Sequence, residues 1–151
     1  MQRQQLRAQV WPHLTLAYST VERSFYAINQ GTGPARITAM RVTVDGVTVK
    51  EWAAVEKAAG LLDGEGFVKS WLSKVVLSPG KDFPILWPND NEQNRAKFMQ
   101  LLPGGKHALS ITVCYCSVLD DCWDVTLGAE PDDRAGSRDS CPILAAERFA
   151  E

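Results

Sequence analysis

The sequence predicts a mainly β fold, an antiparallel β-sandwich of immunoglobulin-like architecture with one or two short inserted helices. Short runs of alternating apolar and polar residues recur along the chain, and turn signals separate them. The strongest turn signal is an Asp45-Gly46 pair between two such runs. An α+β fold with an antiparallel sheet is the alternative, because residues 51–62 and 91–102 both have helical spacing.

Length and composition indicate one soluble globular domain. The chain has 151 residues, 45% of them hydrophobic, which is enough to form a core without covalent staples. Its net charge of −2 and the lack of a basic stripe argue against a nucleic-acid partner. No apolar window approaches the roughly 18 residues that indicate a membrane span. We expect residues 11–151 to form a single β-sandwich domain.

The N-terminal segment, residues 1–10, is polar, basic and helix-prone, and no acidic residue precedes Glu22. One interpretation is that the chain is a cytosolic protein that carries no targeting signal. The other is that residues 1–10 are a juxtamembrane stub. In that case the domain would contact the membrane only through a native anchor that is absent from this chain. The sequence leaves the two interpretations even.

The first half of the chain contains three strand patterns. Leu14, Leu16 and Tyr18 alternate with polar or small residues, and Pro12 lies near the start of that run, where a missing amide donor is tolerated. A second run covers residues 22–29, and a third covers residues 37–44. Between them, residues 29–34 combine glycines and a proline in a turn.

The Asp45-Gly46 pair predicts a two-residue type I′ hairpin, because Asp and Gly tolerate the positive φ angles of that turn. The register sets Val44 opposite Val47. It therefore places the valines of both strands on one face of the hairpin and the threonines on the other.

Two helices and a further hairpin are predicted between residues 51 and 105. Helical spacing recurs from Trp52 to Leu62, and the run Asn89-Asp90-Asn91 is a candidate N-cap for a second short helix that ends at Pro103-Gly104-Gly105. Residues 75–77 and 83–85 alternate on either side of a turn at residues 78–81, and this pattern predicts that the two runs pair with each other.

The last hairpin contains three of the four cysteines. A register centred on Leu119 pairs Tyr115 with Trp123 and sets Cys116 directly opposite Cys122. Opposed side chains in an antiparallel pair lie about 4.5–5.5 Å apart at Cβ, near the separation of a disulfide. We therefore predict a Cys116–Cys122 disulfide. Cys114 and Cys141 are a candidate second pair, although nothing local determines that pairing.

Other interpretations of the cysteines remain open. Buried free cysteines behave as small hydrophobic residues, and all four cysteines could in number form a zinc site, although their spacing is unusual for one. A catalytic thiol would need a partnered base, and neither His13 nor His107 belongs to a recognisable motif. We expect no catalytic residue, no metal ligand and no cofactor. Trp52 and Trp123 lie on apolar stripes, which favours core packing for both.

Three motifs together resemble a set of uncharacterised bacterial proteins. They are Trp11-Pro12, the pattern Asn29-x-Gly31-x-Gly33-Pro34-Ala35, and Cys114-Tyr115-Cys116-Ser117 followed by Cys122-Trp123. In those proteins an N-terminal membrane helix precedes a domain of this kind on the far side of the membrane. The resemblance implies an extracytoplasmic or periplasmic, membrane-anchored domain. It implies no activity.

Two classes of function follow. The first is a non-enzymatic extracytoplasmic binding or interaction domain of a membrane-anchored bacterial protein, with an unknown partner that could be a protein. The second is a cytosolic enzyme or accessory protein whose cysteines are reduced and could bind a metal. The oxidation state of the cysteines distinguishes the two classes.

Overall fold

The chain folds into two antiparallel β-sheets that share one core. The computed structural model describes residues 2–61, 66–127, 141 and 143–150. The strands in this part of the chain are β1 (Leu14–Ser19), β2 (Ser24–Asn29), β3 (Ala35–Val44), β4 (Val47–Val49), β5 (Phe67–Lys69), β6 (Val76–Leu77), β7 (Asp82–Pro88), β8 (Leu109–Cys116) and β9 (Cys122–Thr126). The helices are α1 (Gln2–Gln9), α2 (Trp52–Ala58) and α3 (Glu92–Met99), and a 3₁₀ turn spans Ala145–Glu147.

The strand order is that of an immunoglobulin-like sandwich. One sheet has the order β1-β2-β7-β5 and the other has the order β4-β3-β8-β9, while β6 pairs with the same edge of β3 as β4. An immunoglobulin constant domain packs strands A, B, E and D against C, F and G. The present order matches that arrangement, with β4 as an added edge strand beside C. The predicted β-sandwich is confirmed: α1 precedes β1, and α2 and α3 lie in connections between strands, so the helices do not form the layer of an α+β fold.

Side chains from both sheets meet in the core because inward and outward positions alternate along each strand. Phe98 of α3 extends this core, with ring centroids 5.2 Å from Phe25 and 5.5 Å from Phe67. The buried residues that the two sheets contribute include Leu14, Leu16, Phe25, Ala27, Ile85, Ile37, Met40, Val42, Ile111, Val113 and Tyr115.

Both regions with helical spacing contain a helix, although each helix is shorter than its region. α2 begins at Trp52 and ends at Ala58; Leu62, the last residue of the predicted stripe, lies outside the described residues. The N-cap of α3 lies within the predicted run of residues 89–91: it is Asn91, whose Oδ1 accepts a hydrogen bond from the Asn94 amide at 2.8 Å.

The Asp45-Gly46 hairpin has the predicted geometry. The φ angles of Asp45 and Gly46 are +52° and +82°, which is the pair of positive values that a type I′ turn requires. Val44 lies opposite Val47, as the register predicted.

The predicted pairing of residues 75–77 with residues 83–85 is wrong. β6 pairs with β3 in one sheet, whereas β7 pairs with β2 and β5 in the other. The turn between them carries the chain from one sheet to the other: the Gly80 amide donates to the Asn29 carbonyl at 2.7 Å, and the Asn29 amide donates to the Lys81 carbonyl at 3.1 Å. The alternation of apolar and polar residues in β6 could not distinguish β7 from β3 as its partner, because the inner faces of both sheets point at one core.

The C-terminal segment, residues 143–150, packs on the sheet that contains β3 and β8. Ile143 packs with Ala39 and Cys114. Farther along, the Phe149 amide donates to the Met40 carbonyl at 2.8 Å, and the Phe149 ring lies 4.6 Å from the Trp52 ring. The side chain of Cys114 lies on the outer face of the sheet, away from the main core, and it is buried because this segment covers it.

The carboxylate of Asp45 joins the β3–β4 turn to the chain that enters β8. One oxygen accepts a hydrogen bond from the Ala108 amide at 2.8 Å, and the other lies 2.9 Å from His107 Nδ1. The Ala108 hydrogen bond, followed by the one with His107, holds the pKa of the Asp45 carboxyl below its ordinary value. We assign the pair a structural role, because these two contacts hold the β3–β4 turn against the chain that enters β8.

We predict that Asp45→Asn alters the acid sensitivity of the fold. A carboxyl whose pKa is depressed in the folded state contributes stability above its unfolded pKa, about 3.9, and loses that contribution as pH falls through the folded value. The difference in free energy of unfolding between wild type and Asp45→Asn should shrink as the pH falls below about 4, because the carboxyl then becomes protonated in the folded state as well. Urea unfolding at a series of pH values measures it. A difference that does not change with pH would contradict this account.

Candidate binding site between Trp11 and Trp123

The buried side chain of Asn29 organises the first wall of the site. Its Nδ2 donates to the carbonyls of Gly33 and Leu77, both at 2.9 Å. Its Oδ1 accepts from the amides of His13 at 3.2 Å and Gly31 at 3.0 Å. Because the side chain is fully buried and uses both donor and acceptor groups, it holds the β2–β3 loop and the chain before β1 in one arrangement.

The glycines of this loop allow close contact with the backbone around Trp11. A Cβ on Gly31 would lie 2.2 Å from the Trp11 carbonyl oxygen, and a Cβ on Gly33 would lie 2.2 Å from the carbonyl oxygen of Val10. Between them, the Thr32 amide donates to the Trp11 carbonyl at 2.8 Å. Glycine is required here because any larger residue would displace the segment that carries Trp11.

The second wall is the loop between β8 and β9. The Cys116–Cys122 disulfide joins its two ends. Inside it, Ser117 is buried, and its Oγ accepts from the amides of Leu119 at 3.1 Å and Asp121 at 3.3 Å. These bonds form the tight loop that presents the side chain of Asp121.

Two arginines are paired with neighbouring aspartates of this loop. Arg36 donates to the Ser117 carbonyl at 3.1 Å and pairs with Asp120. Arg7 of α1 lies 3.1 Å from Asp121, measured from Nε to Oδ2. The Arg7–Asp121 pair therefore connects α1 to the β8–β9 loop, at the boundary between the two walls.

A pocket of about 360 Å³ lies between the walls and is lined by Arg7, Ala8, Trp11, Asp121 and Trp123. The indole of Trp11 is 45% exposed, and that of Trp123 is half-buried. We call this region the tryptophan pocket. It combines two aromatic surfaces with one guanidinium–carboxylate pair.

Each indole of the tryptophan pocket has a second ring beside it. Tyr115 stacks on Trp123 with centroids 5.8 Å apart, and His13 lies edge-on to Trp11 at 5.3 Å. These contacts restrict the rotamers of both indoles before any ligand arrives. The predicted core position of Trp123 is therefore half right, since one side packs on Tyr115 and the core while another part lines the pocket.

Both cysteine pairs proposed from the sequence form disulfides. Cys116 is joined to Cys122, in the predicted register, and Cys114 is joined to Cys141. All four cysteines of the sequence are paired in these two bonds, so none of them is a free thiol in this structure. Disulfides of this kind indicate that the protein matures in an oxidising environment.

The tryptophan pocket brings together the three motifs that the sequence singled out. Trp11 comes from the first motif, the Asn29 and glycine loop holds it in place, and Trp123 comes from the cysteine motif. Sequence reasoning missed the roles of Arg7, Ser117 and Asp121. The role of Ser117 could have been predicted from the sequence, because a serine just after a strand favours a side-chain-to-backbone turn. No sequence pattern indicated the Arg7–Asp121 pair.

Comparison with protein-family models, with curated proteins and with solved structures finds no match to this chain.

We predict that Asn29→Ala lowers the free energy of unfolding by at least about 3 kcal/mol, because it leaves the buried carbonyls of Gly33 and Leu77 without their donor. The matched control is Asn91→Ala, which removes one exposed helix cap and should cost about 1 kcal/mol. Denaturant unfolding of both variants measures the difference. Equal losses would contradict the organising role of Asn29.

Removing the two disulfides should have unequal effects on stability. The sequence separations are 6 residues for Cys116–Cys122 and 27 for Cys114–Cys141. A disulfide that closes a longer loop removes more conformational entropy from the unfolded chain and so stabilises the folded state more. Cys116→Ser with Cys122→Ser should cost about 2–3 kcal/mol at most, and Cys114→Ser with Cys141→Ser about 3.5 kcal/mol. Thermal and denaturant unfolding measure both. An unchanged melting temperature of the wild type under reducing conditions would contradict both bonds.

Proposed function

We propose that this chain is a non-enzymatic extracytoplasmic binding domain whose ligand or partner binds at the tryptophan pocket. In the native bacterial protein, a membrane anchor would hold the domain at the membrane. The observation that carries the proposal is the pocket itself. Two restrained indoles and a charged pair line one concave surface, and a disulfide closes the loop that forms one wall. Concave sites with aromatic walls and a few polar groups are typical of ligand binding.

The two disulfides support the extracytoplasmic location. Disulfides persist in secreted and periplasmic proteins, whereas cytosolic reductants keep most thiols reduced. The chain is large enough to fold without staples. We therefore interpret the two bonds as an adaptation to an oxidising compartment.

The proposed anchor would precede α1 in the native protein. No helix in the described part of the chain is long and apolar enough to cross a membrane. α1 is a polar helix of eight residues whose described side chains are exposed. In the proposal, α1 links a preceding membrane helix to the sandwich, and Arg7 docks the link against the β8–β9 loop through Asp121.

The chemistry of the pocket favours binding over catalysis. Its lining side chains carry no hydroxyl, thiol or imidazole, and its one carboxylate, that of Asp121, is paired with Arg7 at 3.1 Å and has no nucleophile beside it in the lining that it could activate. The paired Arg7 and Asp121 provide donors and an acceptor for recognition. The alternative function, a cytosolic enzyme or accessory protein with reduced and metal-binding cysteines, requires thiols that the paired cysteines lack.

Thiol titration and fractionation test the proposal. Protein that is purified from its native host under alkylating conditions, then denatured without reductant, should give no titratable thiol, and the same sample should give four after reduction. The native protein should also sediment with membranes and be released by detergent but not by high salt. Four thiols before reduction would refute the extracytoplasmic location, and release by salt alone would refute the anchor.

A further inference from the structure

We propose that the tryptophan pocket binds a neutral carbohydrate, with a pyranose ring stacked on an indole and its hydroxyl groups bonded to Arg7 and Asp121. This inference rests on the proposed binding function and specifies the class of ligand.

The aromatic surfaces suit the apolar face of a sugar ring. A pyranose presents axial C–H groups on one face, and these pack against the face of an indole in the same way as other apolar groups. Trp123 is restrained by the stacked ring of Tyr115, and Trp11 is 45% exposed. The indole of Trp11 is therefore available for stacking, and that of Trp123 presents a fixed edge or face beside it.

The charged pair suits the rim of hydroxyl groups around the same ring. Arg7 supplies only donors, and Asp121 supplies only acceptors. A hydroxyl group donates and accepts, so neighbouring hydroxyls bond to the guanidinium and the carboxylate at the same time. The side chain of Asp121 is 19% exposed and that of Arg7 is 47% exposed, which leaves both within reach of a ligand in the pocket.

The balance of charge disfavours the other ligand classes that aromatic pockets bind. Because the Arg7–Asp121 pair has no net charge, neither a quaternary ammonium ion stacked on the indoles nor an anion gains a net opposite charge in the pocket that would offset its lost hydration. A wholly apolar side chain would cover the ion pair and leave it without water or a replacement hydrogen bond. A neutral ligand with many hydroxyl groups avoids all three penalties.

The rigidity of both walls lowers the entropic cost of binding. Asn29 and the glycine loop hold the segment of Trp11, while the Cys116–Cys122 disulfide and Ser117 hold the loop of Asp121. A preformed site loses little freedom on binding. This matters for sugars, because a weakly binding ligand cannot supply the energy to order a loop.

The five tryptophans provide five indole N–H signals for a binding experiment by NMR. The probes are trisaccharides of glucose, N-acetylglucosamine, galactose and mannose. Tetramethylammonium chloride and N-acetyltryptophanamide represent the cationic and apolar classes. At least one trisaccharide should shift the signals of Trp11 and Trp123 in a saturable way. The signal of Trp71, which is 72% exposed and does not line the pocket, should not move.

Two pairs of variants assign the binding to the pocket. Trp11→Ala should weaken binding of the active trisaccharide about tenfold, which corresponds to about 1.4 kcal/mol, and Trp71→Ala should leave it unchanged. Asp121→Asn should weaken binding about tenfold as well, because it removes the charged acceptor. Its control is Asp120→Asn, since Asp120 faces Arg36 and not the pocket. Trp11 is exposed, so its variant should fold normally, and unfolding curves verify this.

The outcomes separate the two levels of the proposal. If only tetramethylammonium or N-acetyltryptophanamide shifts Trp11 and Trp123, the carbohydrate proposal is overturned and the binding function stands. If no probe shifts either signal, the carbohydrate proposal is also overturned, and the thiol titration then decides independently whether the extracytoplasmic assignment holds. Trisaccharide shifts that survive Trp11→Ala and Asp121→Asn would place the sugar site elsewhere and overturn the proposal.

Discussion

The buried carboxamide of Asn29 is the contact on which both the sandwich and the tryptophan pocket depend. Asn29 ends β2 in one sheet, and its Nδ2 donates to the Leu77 carbonyl of β6 in the other sheet. The same side chain bonds to the loop and to the chain before β1. A buried amide that uses all these partners tolerates only one arrangement of three segments, because each lost bond leaves a polar group without water. The position of Trp11 follows from that arrangement.

The two disulfides have different tasks. Cys114–Cys141 joins β8 to the C-terminal segment, which covers the outer side of its sheet through Ile143 and reaches Trp52 through Phe149. Cys116–Cys122 lies two residues along the same strand and closes the loop that presents Asp121. Immunoglobulin domains place their disulfide between the sheets. Here both bonds involve the outer side of one sheet, and neither crosses between the two sheets.

The tryptophan pocket lies at the margin of the core, and this position separates binding from folding. Tyr115 belongs to the core and stacks on Trp123, whereas Trp11 and the Arg7–Asp121 pair lie outside it. Exposed ion pairs contribute little to stability because water screens them. Substitutions at Trp11, Arg7 or Asp121 should therefore change ligand binding at little cost to the stability of the sandwich. Substitutions at Tyr115 or Trp123 would also disturb the core.

Sequence alone predicted the features that depend on neighbouring residues: the sandwich class, the Asp45-Gly46 hairpin, a helix cap within residues 89–91, and the register that opposes Cys116 to Cys122. Turn geometry and alternation determine these within one hairpin or one helical turn. Only the tertiary structure showed three other features: the pairing of β6 with β3, the Cys114–Cys141 bond, and the placing of Trp11 and Trp123 in one pocket. Alternation states which face of a strand is buried, but both sheets bury their faces in one core, so the pattern of β6 fits either sheet. The choice depends on contacts between segments far apart in sequence, such as Asn29 with Leu77, and no local pattern encodes them.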